Sequence, residues 1–389
     1  MVHRVAFIRQ RNYEPASLRA SIGRALELAG FDLGSTSEKR VLLKPNMLGA
    51  YPPSMGVTTH PAFVAAVGAI FHEAGAVVAV GDSSNGVHGI DPTWEATGIR
   101  EACRAGGFEE VHFEACGSAT RGNYLIARAP LEADLVVNLP KFKTHGLTTL
   151  TLAVKNLFGC IAGMQKFAVH RAHIAAPDFA AEIVRIADAV RPALTVIDGI
   201  VAMEGDGPSG GTLTELGVIA AGTDMHAVDA ACCRLIGFPP EALATLAAAK
   251  RLGLWDASSP IDVVGDPMEE LRPRHFKLPA TSTKDIGDRW YARLALRLVW
   301  LQAWAQPAIS AARCRRCGLC VEACPVQVIS RAGPQDVPTI DYKGCIQCFC
   351  CHETCPYKAI DIRQSWPVRV ARWFAERQMR RKATDGRDE

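Results

Sequence analysis

Short runs of four to six apolar residues alternate with longer segments of helical period through the first two thirds of the chain. Val2 to Arg9 reads as a first strand, and Ser17 to Ala29 as an amphipathic helix closed by Gly30. Arg40 to Leu43 is a short buried strand, Pro61 to Ala74 a helix with proline at its start and Gly75 past its end, and Ala76 to Val80 the next strand. The alternation continues through Leu135 to Leu139 and Leu194 to Ile197, with a helix over Phe179 to Val190 between them. Such alternation predicts an α/β class: a parallel or mixed sheet domain with helices on both faces. The pattern changes twice further on. Arg289 to Gln306 interleaves Trp290, Trp300 and Trp304 with arginines, and Trp366 to Arg381 repeats the theme with Trp373 and Phe374. Both read as amphipathic helices, for which docking on the protein body and contact with a partner or membrane surface are the competing readings. The expected organisation is a domain over 1–285, a linker helix over 286–311, a small α+β two-cluster ferredoxin-like domain over 312–365 and a basic tail over 366–389.

Cysteine spacing adds the strongest chemical signal. Cys314, Cys317, Cys320 and Cys324-Pro325 are succeeded by Cys345, Cys348, Cys351 and Cys355-Pro356, the same C-x2-C-x2-C-x3-C-P run written twice. A close triplet supplies three thiolates to an iron–sulfur cube, and in two-cluster arrangements the last cysteine of each run crosses to the other cube. The spacing therefore predicts two [4Fe-4S] clusters, one on Cys314, Cys317, Cys320 and Cys355, the other on Cys345, Cys348, Cys351 and Cys324. Structural zinc fits poorly, since zinc knuckles have no use for the third cysteine and the C-P after it. Cys350 is off the register and reads as a neighbour rather than a ligand, and His352 as a surface histidine, with hydrogen bonding that tunes a cluster potential as the competing role. Residues 312 to 364 resemble bacterial-type ferredoxins.

The remaining composition is that of an ordinary globular protein, 49% hydrophobic and 21% charged over 389 residues, with a net charge of +3. That charge is too small to imply a nucleic-acid binder. Nine of the 14 cysteines lie in the double run, so the pattern is not a disulfide framework. It fits a reducing, low-oxygen cytoplasm. No signal peptide or apolar span of membrane length is expected, which makes the location cytoplasmic, with membrane association open through the tryptophan-rich segments.

Cations gather where the strands end. Lys44 and Asn46, Thr58, Lys141 and Lys143 succeed or close strand-like runs, and Lys155, Asn156 and Lys166 lie just downstream. In α/β sheets ligands sit beyond the carboxyl ends of strands, so this group is expected to receive a carboxylate or phosphate. His145 and His170 are candidate proton donors. With His173 they are also a conceivable metal site, although no recognisable binding signature supports it. Glu204, Asp206, Asp224 and Asp229 read as an acidic cluster that holds the lysines or supplies a base, with helix capping the competing role for Asp224. Cys232-Cys233 reads as buried in the helix His226 to Leu235. Gly205, Gly207 and Gly210 match G-x-G-x-x-G, but Pro208 lies inside and a strand comes next where a dinucleotide fold opens a helix. A glycine-rich turn lining the pocket is the better reading.

Leu43-Lys44-Pro45-Asn46, Val137 to His145, Lys155-Asn156-Leu157-Phe158-Gly159, Asp198-Gly199 through Pro208, and Ala221 to Ala230 together resemble the DUF362 family over roughly residues 4 to 275. Members commonly carry a C-terminal ferredoxin module, so the resemblance implies an architecture and a site more than a reaction. The combined expectation is an iron–sulfur oxidoreductase. It would pass electrons from an external low-potential donor protein to an anionic small molecule or cofactor precursor. A non-catalytic electron carrier, or a protein that matures or holds a metallocofactor, is the alternative.

Overall fold

The computed structural model describes residues 2–84, 88–161, 165–173, 175–279 and 305–366. The two tryptophan-rich helices expected over 289–306 and 366–381 fall almost wholly outside the described residues.

The first strands are β1 (His3–Arg9), β2 (Arg40–Pro45), β3 (Val77–Asp82) and β4 (Glu109–His112), then a separate hairpin of β5 (Ser118–Arg121) and β6 (Tyr124–Ala127). Next come β7 (Leu135–Leu139), β8 (Lys141–His145) and β9 (Thr149–Thr151), and after them β10 (Leu194–Glu204), β11 (Thr212–Gly222) and β12 (Ile261–Gly265). Ten of these strands form one sheet in the order β12-β1-β11-β10-β7-β2-β3-β4, with β8 and β9 branching from β10. The pairs β2–β3, β2–β7, β3–β4 and β7–β10 are parallel, whereas β11 runs antiparallel to both β1 and β10. The sheet is mixed, as the alternating pattern predicts.

Helices cover both faces because successive strand residues point to opposite sides. Val41 and Leu43 pack with Leu18, Ile22, Phe63 and Phe71 from the helices Pro15–Leu28 and Pro61–Glu73. Leu42, between them in sequence, packs on the opposite face with Phe179, Ile183 and Val184 from the helix Ala176–Val190. A third cluster sets Val5, Phe7 and Val218 against the helix Met225–Leu235, where Cys232 and Cys233 are fully buried. Asp224 caps that helix, its carboxylate accepting from Ala227 N at 2.7 Å.

The C-terminal segment is small and self-paired. β13 (Ala305–Ile309) lies antiparallel to β16 (Ile360–Gln364), and β14 (Ile329–Ser330) to β15 (Thr339–Ile340). Its sequence repeat reappears in the backbone. Left-handed residues occupy matched places in the two runs: Arg316 and Gln347, Gly318 and Phe349, Gln327 and Lys358. Five of those six are not glycine, so each run holds its tight loop against local preference.

Candidate functional site

The parallel strands β2 and β3 end side by side, which brings Lys44 to Asp82. Their Nζ–Oδ1 separation is 2.7 Å and both side chains are buried. Gly159 is what lets the pair close, since a Cβ there would lie 2.1 Å from Asp82 Oδ1 and 2.6 Å from Lys44 Nζ. Beside the pair, Lys143 donates to Asn46 Oδ1 at 2.8 Å and to the Val57 carbonyl at 2.6 Å. Asn46 in turn donates to Asn156 (2.8 Å), Asn156 to Asn138 (2.8 Å) and Asn138 to the Ala153 carbonyl (2.9 Å). This chain of amides fixes the floor of a pocket at the carboxyl ends of the strands, where α/β sheets bind ligands.

The short helix Ala153–Asn156 delivers Lys155 to the same pocket. Its start is held by Asp229, whose carboxylate accepts from Ala153 N at 2.7 Å and Val154 N at 3.2 Å. Lys166 reaches in from the helix Gln165–Ala172 and donates to the carbonyls of Ser83 and Ser84. The Lys155 ammonium finds no acceptor among the described residues. It stands over the rings of Phe158 and Phe179, 4.7 and 5.8 Å from their centroids.

The other wall comes from the C-terminal module. Cys350, Glu353 and Thr354, on the helix Cys350–Thr354, line the pocket with Lys143, Lys155 and Lys166. Glu353 Oε1 lies 3.2 Å from His145 Nε2. His145 Nδ1 accepts from Leu147 N and Thr148 N at 3.0 and 3.3 Å, so the proton of the neutral ring sits on Nε2, on the side of Glu353. The module is latched in place through its backbone: Tyr51 and Ser209 donate to the Glu353 carbonyl at 2.6 and 2.8 Å, and Lys358 to the Gly211 carbonyl at 3.2 Å.

The expected anion contacts therefore divide. Asn46, Lys143, Lys155, Asn156 and Lys166 line the pocket, as do His145 and His170. Lys44 stands behind it, paired with Asp82. Thr58 is buried elsewhere, and Lys141 is committed to another assembly, donating to Asp198 Oδ2 and to the Tyr13 hydroxyl, each at 2.8 Å. Nor do the four carboxylates form an acidic cluster at the site. Asp224 and Asp229 cap helices, Glu204 accepts from Lys277 N at 2.9 Å, and none of the four lines the pocket. His352 is not on the surface either; it is buried, with Nδ1 2.6 Å from the Ile360 carbonyl and Nε2 2.9 Å from the Asp206 carbonyl, bridging module and domain. The glycine-rich turn does contribute Pro208 to the pocket wall, and β11 comes after it where a dinucleotide fold requires a helix.

Burial dominates the electrostatics. It pushes the Lys143 ammonium down to about 7 and Lys166 down to about 8, with Glu353 and Asp82 respectively acting against the shift. Lys155 is lowered by burial as well, opposed mainly by Glu353. His170, packed between Phe158 and Phe179, falls to about 3 through burial and then the nearby Lys155 charge. His145 is held well below its ordinary value by burial and then Lys155. Both histidines are neutral near pH 7, so either gives a proton only from an imidazole N–H. The Glu353 carboxyl is raised by burial, against the pull of Lys155, His352 and Lys143.

Two further cavities lie inside the module. Cys314, Cys317, Cys320 and Cys355 line one; Cys324, Cys345, Cys348 and Cys351 line the other, whose remaining walls are apolar. Backbone N–H groups face the thiols, Arg316 N to Cys314 Sγ at 3.4 Å, Val328 N to Cys324 Sγ at 3.4 Å and Ala359 N to Cys355 Sγ at 3.3 Å. Thiol donors in an apolar shell with amides aimed at sulfur suit iron–sulfur ligation. None of the fourteen cysteines is in a disulfide, and Cys350 opens to the lysine pocket rather than to either thiol cavity. Among the described residues, no group of three or more His, Cys, Asp or Glu side chains converges as one metal ion requires.

Glu353, Thr151 and Phe158 are pocket residues that sequence reasoning passes over. For Glu353 a signal exists: it lies three residues after Cys350, hence on the same side of a helix.

A mixed α/β domain and a two-run cysteine module that share one cation-lined pocket define the class. The model for the domain of unknown function DUF362 matches residues 41–234, and that for a 4Fe-4S dicluster domain matches residues 313–359. A thylakoid-associated protein of Synechocystis sp. is 36% identical over 287 residues, covering 72% of this chain and 88% of that protein. The chain belongs to the DUF362 family and carries a C-terminal 4Fe-4S dicluster domain, a module of the electron-transfer type. A looser likeness of shape is found to the lactate racemase apoprotein of Thermoanaerobacterium thermosaccharolyticum, with a TM-score of 0.38 and 15% identity. It covers 57% of this chain, which spans about half the length of the racemase (54%), and it has no bearing on function.

Proposed function

We propose that this chain is an iron–sulfur oxidoreductase. It takes low-potential electrons from an external donor protein and delivers them to an anionic small molecule or cofactor precursor in the lysine pocket. One observation carries the reading: a single short helix places Cys351 on a thiol cavity and its neighbours Cys350, Glu353 and Thr354 on the pocket. A mere electron carrier has no need of such a shared wall. In this reading one cluster takes Cys314, Cys317, Cys320 and Cys355 and the other Cys345, Cys348, Cys351 and Cys324. Clusters of this kind supply electrons singly. Lys143, Lys155 and Lys166 hold the anion. His145, with its proton on Nε2 on the side of Glu353, holds a proton at the pocket wall.

The test uses protein purified without oxygen. Iron content of about eight per chain is expected from two cubes. The compound released from the pocket on denaturation is identified by mass spectrometry and added back to dithionite-reduced protein. Reoxidation of the clusters by that compound supports the reading; clusters that stay reduced point to a carrier or a cofactor-holding protein instead.

Peripheral membrane attachment through the segments 286–306 and 366–382 belongs to the same proposal. Their alternation of tryptophan and arginine and the name of the Synechocystis relative support it. Among the described residues no helix is long and apolar enough to cross a membrane. Co-sedimentation with anionic vesicles that survives deletion of residues 366–389 and alanine replacement of the tryptophans in 286–306 would refute attachment by these segments.

A further inference from the structure

Four polar groups in the pocket, three of them buried atoms and the fourth the half-buried Lys155, lack hydrogen-bond partners among the described residues, and they share one surface. Thr151 Oγ1 and His170 Nδ1 are buried without a hydrogen bond. Glu353 Oε1 is buried too, with His145 Nε2 near it at 3.2 Å but not aligned for a hydrogen bond. Among the described residues the Lys155 ammonium meets ring faces and no acceptor. Buried polar groups are nearly always satisfied, so several exceptions around one space indicate a missing occupant. The charges say what kind. Lys44 is cancelled by Asp82 at 2.7 Å. Lys143, Lys155 and Lys166 remain, the first and last held by neutral amide and carbonyl oxygens, against the single carboxyl of Glu353. Of the other titratable groups on the wall, His145 and His170 are neutral, and hydrogen bonding to Cys348 and burial raise the Cys350 thiol above its ordinary value. With its ammonium groups protonated, the wall is in excess by at least two positive charges.

We propose that the pocket is built for a dianionic oxyanion group, that of a phosphate monoester or of two neighbouring carboxylates, with Lys155 as its first contact. The proposal rests on the reading above that this pocket holds the substrate, but not on the delivery of electrons to it. Such a group supplies acceptors for Lys155 and Thr151 and brings the local charge near balance. It also reverses the depression of the lysines, so binding takes up protons wherever Lys143 and Lys166 are partly neutral in the empty pocket.

The experiment is calorimetry on the full-length, oxidised, cluster-loaded protein without oxygen, after removal of any bound compound, in buffers free of phosphate and sulfate. Inorganic phosphate, malonate and acetate are titrated at about pH 8, where Lys166 is near half protonation. Two buffers of different ionisation heat report the proton count. Phosphate or malonate is expected to bind at least roughly tenfold more tightly than acetate, with net proton uptake. Whichever dianion wins identifies the phosphate or the dicarboxylate source. Lys155→Met is expected to abolish the preference while its ligand-free unfolding midpoint does not fall, because an unpaired cation has been removed. Acetate binding as tightly as the dianions, no binding by any of the three, or a preference that survives Lys155→Met overturns the proposal. Since the clusters stay oxidised throughout, failure here leaves electron delivery to its own test. Dianion binding without reoxidation of reduced protein by the pocket's own compound would sink electron delivery alone.

Discussion

Lys141 and Lys155 look alike in sequence and differ in the one respect that matters. Lys141 is enclosed in a closed set: its ammonium lies 2.8 Å from both Asp198 Oδ2 and the Tyr13 hydroxyl, Tyr13 donates to Asp198 Oδ1 at 2.8 Å and stacks on His60, and His60 N donates to Asp198 at 3.0 Å. Every charge there has its counterpart within the chain. Lys155 has ring faces and no acceptor among the described residues. A cation at a pocket wall marks a ligand site when no carboxylate is bonded to it, and a buried one is a keystone of the fold when a carboxylate closes on it, as Asp198 does on Lys141.

The largest expected effect comes from breaking the closed set. Asp198→Ala leaves Lys141 charged and unpaired and is expected to cost about 3–5 kcal/mol, read from urea unfolding. Lys155→Met is expected to cost nothing by the same measurement. If both variants unfold at the wild-type midpoint, the contrast between the two lysines is void.

Next in size is a pH effect carried by the pocket lysines. The folded-state values of Lys143 and Lys166 are depressed to about 7 and about 8. The unfolded chain therefore binds more protons than the folded one from about pH 7 up to the ordinary lysine value of about 10.4, and stability rises with pH across that window. The thermal midpoint of protein freed of ligand should climb through that range, and the double variant Lys143→Met, Lys166→Met should flatten the climb. Asp229 provides the opposite slope. Burial raises its carboxyl to about 7 despite the two backbone N–H groups it accepts. Its contribution is full below about pH 4 and is lost as the pH rises through about 7. Asp229→Asn should remove that decline.

The smallest effect concerns the joint between the modules. Tyr51→Phe deletes one hydrogen bond to the Glu353 carbonyl, worth about 1 kcal/mol. It should speed hydrogen exchange over residues 350–354 by roughly fivefold. Unchanged exchange would mean that the joint is held by other contacts.

Strand positions were legible because short apolar runs stand out between segments of helical period: Val41, Leu42 and Leu43 form one such run and serve the two faces of a sheet covered on both sides. The cysteine register was legible for a similar reason, since each run keeps its spacing. What sequence did not disclose is the company each lysine keeps. Lys141 and Lys143 are two apart and share a side of a regular strand. Yet β8 tracks β10 across a register shift between Asp198 and Met203, which gives the two lysines different surroundings. No local pattern reports that bend. Glu353 and His352 were hidden differently, lying inside a run whose regular spacing serves thiol ligation; only the off-register Cys350, one helical turn before Glu353, pointed past it. The carboxylates failed as a cluster because Asp224 and Asp229, though close in sequence, cap different helices.

The helix Cys350–Thr354 turns consecutive side chains to different tasks: Cys350 to the pocket, Cys351 to the thiol cavity, His352 to the seam with Asp206, Glu353 back to the pocket. Each added residue rotates the downstream side chains by about 100°. The segment therefore tolerates substitution far better than insertion: one extra residue between Cys350 and Glu353 would exchange the duties of every side chain beyond it, parting thiol ligation from pocket wall in a single step.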